Sequence, residues 1–282
     1  MPELPEVHTT VHDLLQGGLP GSQITSVEVQ WPRTVGGNDD AFTHAILNRR
    51  ISQLRRRGKY IIMDLDAGSG ILVHLRMSGR LYLCDPEAPP TGYERVRLGV
   101  VRTDGGAAEL RFHVPRKFGR MTFTTDVNQA VSHVGIEPLS TDFDHRVLSQ
   151  ILAGRTRRIK PLLLDQTVIA GLGNIYTDEA LWEARIHPLR PADSLDTREV
   201  TALADAIREV LTRGIRNLGT SLGAGASNFV FPGKEVQAHN QEDLRVFQKT
   251  GTPCPRCGTT IERIIVAQRS SHLCPRCQHH GG

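Results

Sequence analysis

Apolar residues recur at helical spacing at the start of the chain and again through its second half, while between those stretches they alternate. Glu6 to Leu15 puts Val7, Val11, Leu14 and Leu15 on one side and ends at Gly17-Gly18, which predicts an amphipathic helix. From Ile24 the pattern becomes one of short alternating or apolar runs: Ile24 to Val29, Gly58 to Leu65, Ile71 to Leu75, Arg80 to Leu83, Val96 to Val101, Glu109 to Val114 and Met121 to Thr125. Pro32, Gly36-Gly37, Asp66 to Gly70, Asp85 to Gly92 and Asp104-Gly105-Gly106 punctuate them. Many short strands separated by turn residues predict a β-sandwich or barrel, and Arg33 to Ile46 is the part that fits this pattern least.

The texture changes again between Asn128 and Asp142. Asp142 to Leu152, Ile159 to Leu164, Ile175 to Glu183 and Thr197 to Leu218 carry helical spacing, so a domain boundary is expected near Gly135. Gly219 to Gly233 is rich in Gly, Ala and Ser, has weak periodicity and reads as a mobile loop.

Composition narrows the class. The 282 residues are 39% hydrophobic and 23% charged, with a net charge of +4, as expected of a globular chain with room for two domains and a small module. That mild basicity supports a nucleic-acid partner only through where the charges lie. No apolar run reaches membrane-spanning length and no N-terminal signal pattern is present, so a cytoplasmic location is expected.

Four of the five cysteines fall in the last 30 residues, and Cys84 stands apart. Cys254-x2-Cys257, then sixteen residues, then Cys274-x2-Cys277 is the spacing of tetrahedral Zn2+ ligation by four thiolates. Free thiols would have no reason to adopt it. Thr260 to Ala267 reads as a strand, Arg269-Ser270 as a hairpin tip and His272-Leu273 as the return. Arg256, Arg263, Arg269 and Arg276 against the single acid Glu262 make this module basic enough for phosphate contacts.

The start of the chain carries the candidate chemistry. Methionine is readily removed ahead of proline, and Met1-Pro2 processing would leave a secondary amine whose pKa, near 8 for an α-amino group, keeps part of it nucleophilic at neutral pH. Such an amine can form an iminium with an electrophilic carbon. Glu3 and Glu6 could handle protons around it. On the hexapeptide alone, proline with glutamates in a first turn is more readily an ordinary helix start, and the rest of the chain reverses that reading.

Taken together, Pro2-Glu3-Leu4-Pro5-Glu6, Arg56-Arg57-Gly58-Lys59-Tyr60, His74-Leu75-Arg76-Met77-Ser78-Gly79, Pro115-Arg116-Lys117-Phe118-Gly119, Lys160-Pro161, Gly171-Leu172-Gly173-Asn174-Ile175-Tyr176 and Gln268-Arg269 resemble the formamidopyrimidine-DNA glycosylases, of the wider family that includes endonuclease VIII. The resemblance covers nearly the whole chain. It implies an α+β fold in three parts: an N-terminal catalytic β-sandwich flanked by helices (1–134), a helix–two-turn–helix DNA-binding domain (135–248) with a lesion-capping loop at about 219–241, and a four-cysteine β-hairpin zinc finger (249–282). It also implies double-stranded DNA with oxidised or abasic lesions as partner, one structural Zn2+ on Cys254, Cys257, Cys274 and Cys277, and a monomer acting on the nucleoid.

The same resemblance implies the roles of individual residues. Pro2 attacks C1′ of the deoxyribose of a flipped nucleotide, Glu3 supplies a proton, and Glu6 stands by. Lys59 contacts a phosphate and takes part in proton transfer, and Arg269 contacts the backbone and assists the last elimination. His74, Lys160, Asn174 and Tyr176 fall at positions near the phosphates or sugar. Met77, Arg116 and Phe118 fill the gap left by the extruded base. Two positions depart from the usual pattern: Val114 stands where an acid is common, and Tyr93 where a histidine is. Met77, Arg116, Phe118 and the long Ser221 to Gln241 segment match the purine-lesion branch. The alternatives are an endonuclease VIII-like enzyme for oxidised pyrimidines and a damaged-DNA-binding protein without turnover.

Overall fold

The computed structural model describes residues 1–220 and 240–280, and the described residues divide into two compact units, 1–133 and 134–220 with 240–280. Most of the segment expected to cap the lesion therefore lies outside the described residues.

The first unit holds two four-stranded antiparallel sheets. One is ordered β1 (Gln23–Val29), β6 (Glu94–Val101), β7 (Ala107–His113), β5 (Arg80–Cys84). The other runs β2 (Gln53–Arg57), β3 (Tyr60–Asp64), β4 (Gly70–His74), β8 (Arg120–Thr124). Alternation along β6 buries Val96, Leu98 and Val100, which join Leu110 and Phe112 of β7 and Ile61, Met63, Ile71 and Val73 of the second sheet in one core. Helix α1 (Leu4–Gln16) adds Val7, Val11 and Leu14 to that core, and α2 (Asp39–Ile46) adds Phe42 and Ile46. The poorly patterned stretch from Arg33 to Ile46 is thus a 3-10 turn (Pro32–Val35) followed by α2, capped by Asn38 Oδ1 on the Ala41 N–H. The sequence pattern misses β2 because its Arg55-Arg56-Arg57 run shows no apolar alternation. Its register on β3 is held by the ladder and by the Arg55–Asp64 ion pair across it. A short α3 (Val127–Ala130) closes this unit.

The second unit gathers α4 (His145–Leu152), α5 (Ile159–Leu163), α6 (Asn174–Glu183), α7 (Thr197–Arg216), α8 (Asn240–Asp243) and the hairpin of β9 (Glu262–Val266) and β10 (Arg269–Leu273). Helix α7 starts at a capping box in which Asp196 and Glu199 satisfy each other's backbone N–H groups. Helix α6 is buried from Ile175 to Trp182, acids included. The hairpin tip is Ala267-Gln268, both at positive φ, rather than the expected Arg269-Ser270, because Arg269 already pairs with Val266.

Candidate active site and phosphate-binding elements

In the first unit the catalytic candidates lie on the start of α1 and on two tight turns. Glu3 is the N-cap of α1, and Glu6 Oε2 accepts the Glu3 N–H at 2.7 Å to complete a capping box. Pro2, Glu3 and Glu6 are all buried, and Met1 is exposed. Through this cap Glu6 fixes the backbone of Glu3. Helix α1 lies against β2 and β3, whose connecting turn is Gly58-Lys59. Gly58 takes a positive φ that any side chain would strain, and Lys59 follows it, only 5% exposed.

His74 ends β4 opposite Tyr60, the two rings edge to face at 5.0 Å. Burial, helped by the charges of Arg76 and Lys59, pushes its pKa down to about 3, so the ring is neutral. Nδ1 accepts the Arg76 N–H at 3.0 Å, which leaves the ring proton on Nε2 as a donor. Met77 follows in the turn, 46% exposed, and Gly79 closes it where a Cβ would lie 2.5 Å from the Leu75 carbonyl oxygen.

Between β7 and β8, Phe118 is 52% exposed and the Arg116 guanidinium lies 5.7 Å from its ring centroid. Val114 packs into the core beside Phe112, so the place of an acid is taken by an apolar contact. Tyr93 is exposed, edge-on to His113 at 5.6 Å, with the Arg95 guanidinium 5.9 Å from its centroid. Its loop is pinned from inside: Glu94 accepts the Thr91 N–H and hydroxyl and the Gly92 N–H. Burial alone would raise the Glu94 pKa, but these bonds outweigh it and bring it to about 2.

In the second unit, Asn174 opens α6 after the Gly171–Gly173 turn, and its Nδ2 donates to the Ser270 carbonyl at 2.9 Å. The positive end of the α6 dipole lies at this turn, a setting that suits an anion. Arg269, exposed beside the hairpin tip, neighbours Ser270, so hairpin and helix start are tied together.

Lys160 and Tyr176 do not offer the ligand surface expected of them. Lys160 is wholly buried, and its ammonium donates to Asp178 Oδ1 at 2.6 Å and to the Ser270 carbonyl at 2.7 Å. Tyr176 is 1% exposed; its hydroxyl lies 3.2 Å from Thr220 Oγ1 and accepts from Asn240 Nδ2 at 3.3 Å. Both hold elements in place rather than face outward.

Asp178 is the residue sequence reasoning missed. It accepts from Lys160, from Ser271 Oγ at 3.0 Å, from the His272 N–H at 2.9 Å and from His272 Nδ1 at 3.1 Å. Next to it, Glu179 accepts the N–H groups of Arg245, Val246 and Phe247, each at 2.9 Å, while burial pushes its pKa up. Two consecutive acids in a helix that also carries Ile175, Tyr176, Ala180, Leu181 and Trp182 were the available signal.

The four cysteines converge, with all sulfurs within 4.8 Å of one another. Cys254 and Cys277 Sγ lie 4.0 Å apart, and Cys257 and Cys274 Sγ 3.4 Å. A Zn–S bond of about 2.3 Å in a tetrahedron gives sulfur separations of about 3.8 Å, so the cage fits zinc. Trp182 of α6 packs against it, with Arg256 stacked 4.0 Å from the indole centroid and donating to the Trp182 carbonyl.

A two-sheet unit whose first helix follows Pro-Glu, a helical unit with a glycine turn before α6, and a basic hairpin with four converging cysteines are the three parts expected of a DNA-repair glycosylase of this kind. The comparisons agree part by part. Residues 1–121 match the formamidopyrimidine-DNA glycosylase N-terminal domain, 134–224 the formamidopyrimidine-DNA glycosylase H2TH domain, and 251–279 the zinc finger found in FPG and IleRS. The formamidopyrimidine-DNA glycosylase of Protochlamydia amoebophila is 44% identical over 99% of both chains. A Lactococcus lactis FPG variant in complex with Fapy-dG-containing DNA aligns with a TM-score of 0.88 at 34% identity, over 99% of this chain and 100% of that one. The Lactococcus lactis Fpg complex with abasic-site DNA gives 0.87 at 33%, over 98% and 99%. The chain belongs to the formamidopyrimidine-DNA glycosylase family, and its four thiolates are the ligands of one structural zinc.

Proposed function

We propose that the chain excises oxidised purines, 8-oxoguanine and formamidopyrimidines, from duplex DNA and cuts the resulting abasic strand. The observation that carries this reading is the start of α1: a buried Pro2-Glu3 pair held by a capping box, next to the exposed Met1. Loss of Met1 turns the Pro2 nitrogen from an amide into an amine. That amine attacks C1′ of the flipped nucleotide, the N-glycosidic bond breaks, and the base leaves with a proton supplied through Glu3. The deoxyribose ring opens and an iminium links Pro2 to C1′. The iminium acidifies C2′–H. Loss of that proton expels the 3′ phosphate, and a second elimination expels the 5′ phosphate.

In this scheme Lys59 and the Nε2–H of neutral His74 face phosphate oxygens, while Met77, Arg116 and Phe118 occupy the vacated stack. Tyr93 offers its hydroxyl where a histidine is usual. Asn174 and Arg269 pinch the backbone. Arg269 serves as a contact, since a guanidinium with a pKa above about 12 is a poor proton donor. Structural neighbours crystallised with Fapy-dG and abasic DNA support the substrate class.

The test is borohydride trapping combined with intact mass. Protein beginning at Pro2 should form a covalent adduct of one chain with one strand on 8-oxoguanine and abasic duplexes, and protein retaining Met1 should not. No adduct from the processed protein would remove the enzyme reading, and preferential trapping on thymine-glycol duplexes would move it to oxidised pyrimidines.

A further inference from the structure

Residues 114–120, between β7 and β8, are ordered by devices that the chemistry at Pro2 does not require. The Lys117 N–H donates to the Val114 carbonyl at 3.2 Å and closes a tight turn in which Lys117 itself adopts φ +57°. That left-handed conformation is unfavourable for a lysine, so something outside the turn must hold it. Arg120 Nη1 gathers the carbonyls of Lys117, Phe118 and Gly119 at 3.5, 3.3 and 3.0 Å. At Gly119 a Cβ would meet the Phe112 ring at 2.6 Å, so the loop sits directly on the core. The Lys117 ammonium, finally, lies 3.9 Å from the centroid of the Trp31 ring, with the Arg33 guanidinium at 6.0 Å from the same centroid. Trp31 is half-buried at the start of the 3-10 turn Pro32–Val35, and that turn packs on β8, the strand into which the loop runs.

We infer that Trp31 is a positioning residue for the base-stack wedge. Its ring clamps Lys117, the clamp keeps the left-handed turn formed, and the turn presents Arg116 and Phe118 together. This rests on the reading of Arg116 and Phe118 as the residues that enter the vacated stack. A wedge that must order itself during insertion loses rate to conformational entropy, whereas one already clamped does not. An aromatic face is needed because the attraction comes from the ring quadrupole acting on the ammonium; an aliphatic side chain of similar bulk cannot supply it.

The experiment uses full-length, zinc-loaded protein beginning at Pro2 and an 8-oxoguanine duplex with 2-aminopurine beside the lesion, whose fluorescence reports unstacking in stopped flow. Trp31→Leu and Lys117→Met should each slow the insertion phase roughly three- to tenfold, the size of a contact of this class. Trp31→Phe, which keeps a π face, should restore most of the rate. The double variant Trp31→Leu/Lys117→Met should be no slower than Trp31→Leu alone, because both changes break one contact. Melting temperatures identify a variant that fails to fold, and Trp31→Phe with Lys117→Met then carry the test. Parental insertion rates in Trp31→Leu and Lys117→Met, or multiplicative slowing in the double variant, would overturn the role of Trp31 alone. A parent that is trapped by borohydride yet shows no insertion phase would overturn the wedge reading, and the Trp31 role with it.

Discussion

Replacing Asp178 by alanine should separate the finger hairpin from the helix that opens with Asn174. The carboxylate receives hydrogen bonds from the Lys160 ammonium, Ser271 Oγ and the His272 backbone and ring, and both it and Lys160 are fully buried. Removing one partner of such a pair leaves an uncompensated charge in the interior, which costs about 3–5 kcal/mol. Asp178→Asn, which keeps the shape and one acceptor, should cost less. Replacing the pair together, Lys160→Met with Asp178→Leu, should cost less than either single change to an apolar residue, because no charge is then stranded. The function should fail with the structure. Lys160 and Asn174 both donate to the Ser270 carbonyl, so loosening the hairpin releases Arg269 from its place beside Asn174. Urea unfolding gives the stability term, and anisotropy titration of a duplex carrying a stable abasic analogue gives the affinity. An Asp178→Ala protein within about 1 kcal/mol of the parent, or one that binds the duplex equally well, would refute the assignment of Asp178 as the clamp.

His74 is neutral when folded, with a pKa near 3 against about 6.5 unfolded, so protons favour the unfolded chain: its contribution is complete above pH 6.5 and declines as pH falls towards 3. At pH 5 this amounts to roughly 2 kcal/mol, and His74→Gln should flatten the parent's stability loss between pH 6.5 and 5 in parallel denaturant titrations. Affinity for lesion duplex should fall steeply with salt, and Lys59→Met or Arg269→Gln should each make the log–log slope shallower by about 0.9, read from titrations at several potassium concentrations. Stripping zinc with a chelator should abolish duplex binding and unfold the hairpin, because the apolar cluster around Cys254 and Cys274 is only Trp182, Val246 and Ile261, too small a core to hold the fold unaided; circular dichroism with a zinc-release assay checks this.

Period and spacing made most of the architecture legible. Val96, Leu98 and Val100 alternate because one face of β6 is core, and Cys-x2-Cys pairs are close because a single turn holds two sulfurs on one metal. What stayed hidden depends on partners distant in sequence. A strand made of Arg55 to Arg57 gives no apolar period; its place in the sheet comes from pairing with Tyr60 to Ile62. The motifs around Lys160 and Tyr176 point to the DNA, since a lysine and a tyrosine in such settings suggest contacts. Their burial follows from Asp178, 18 residues along from Lys160, and from Asn240, 64 residues beyond Tyr176, and no local pattern announces either. Trp31 was silent for the same reason: its meaning lies in Lys117.

The capping box at the head of α1 begins with the Glu3 N–H, one residue inside Pro2, the residue proposed to react. Trimming Met1 therefore breaks none of that helix's anchoring bonds, and proteolytic maturation can follow folding without disturbing it. In the proposed mechanism a sugar joined to Pro2 would in turn be fastened within one peptide unit of a helix rooted in the sandwich core. Such a tether would be stiff, and the C2′ proton would have few positions from which to leave.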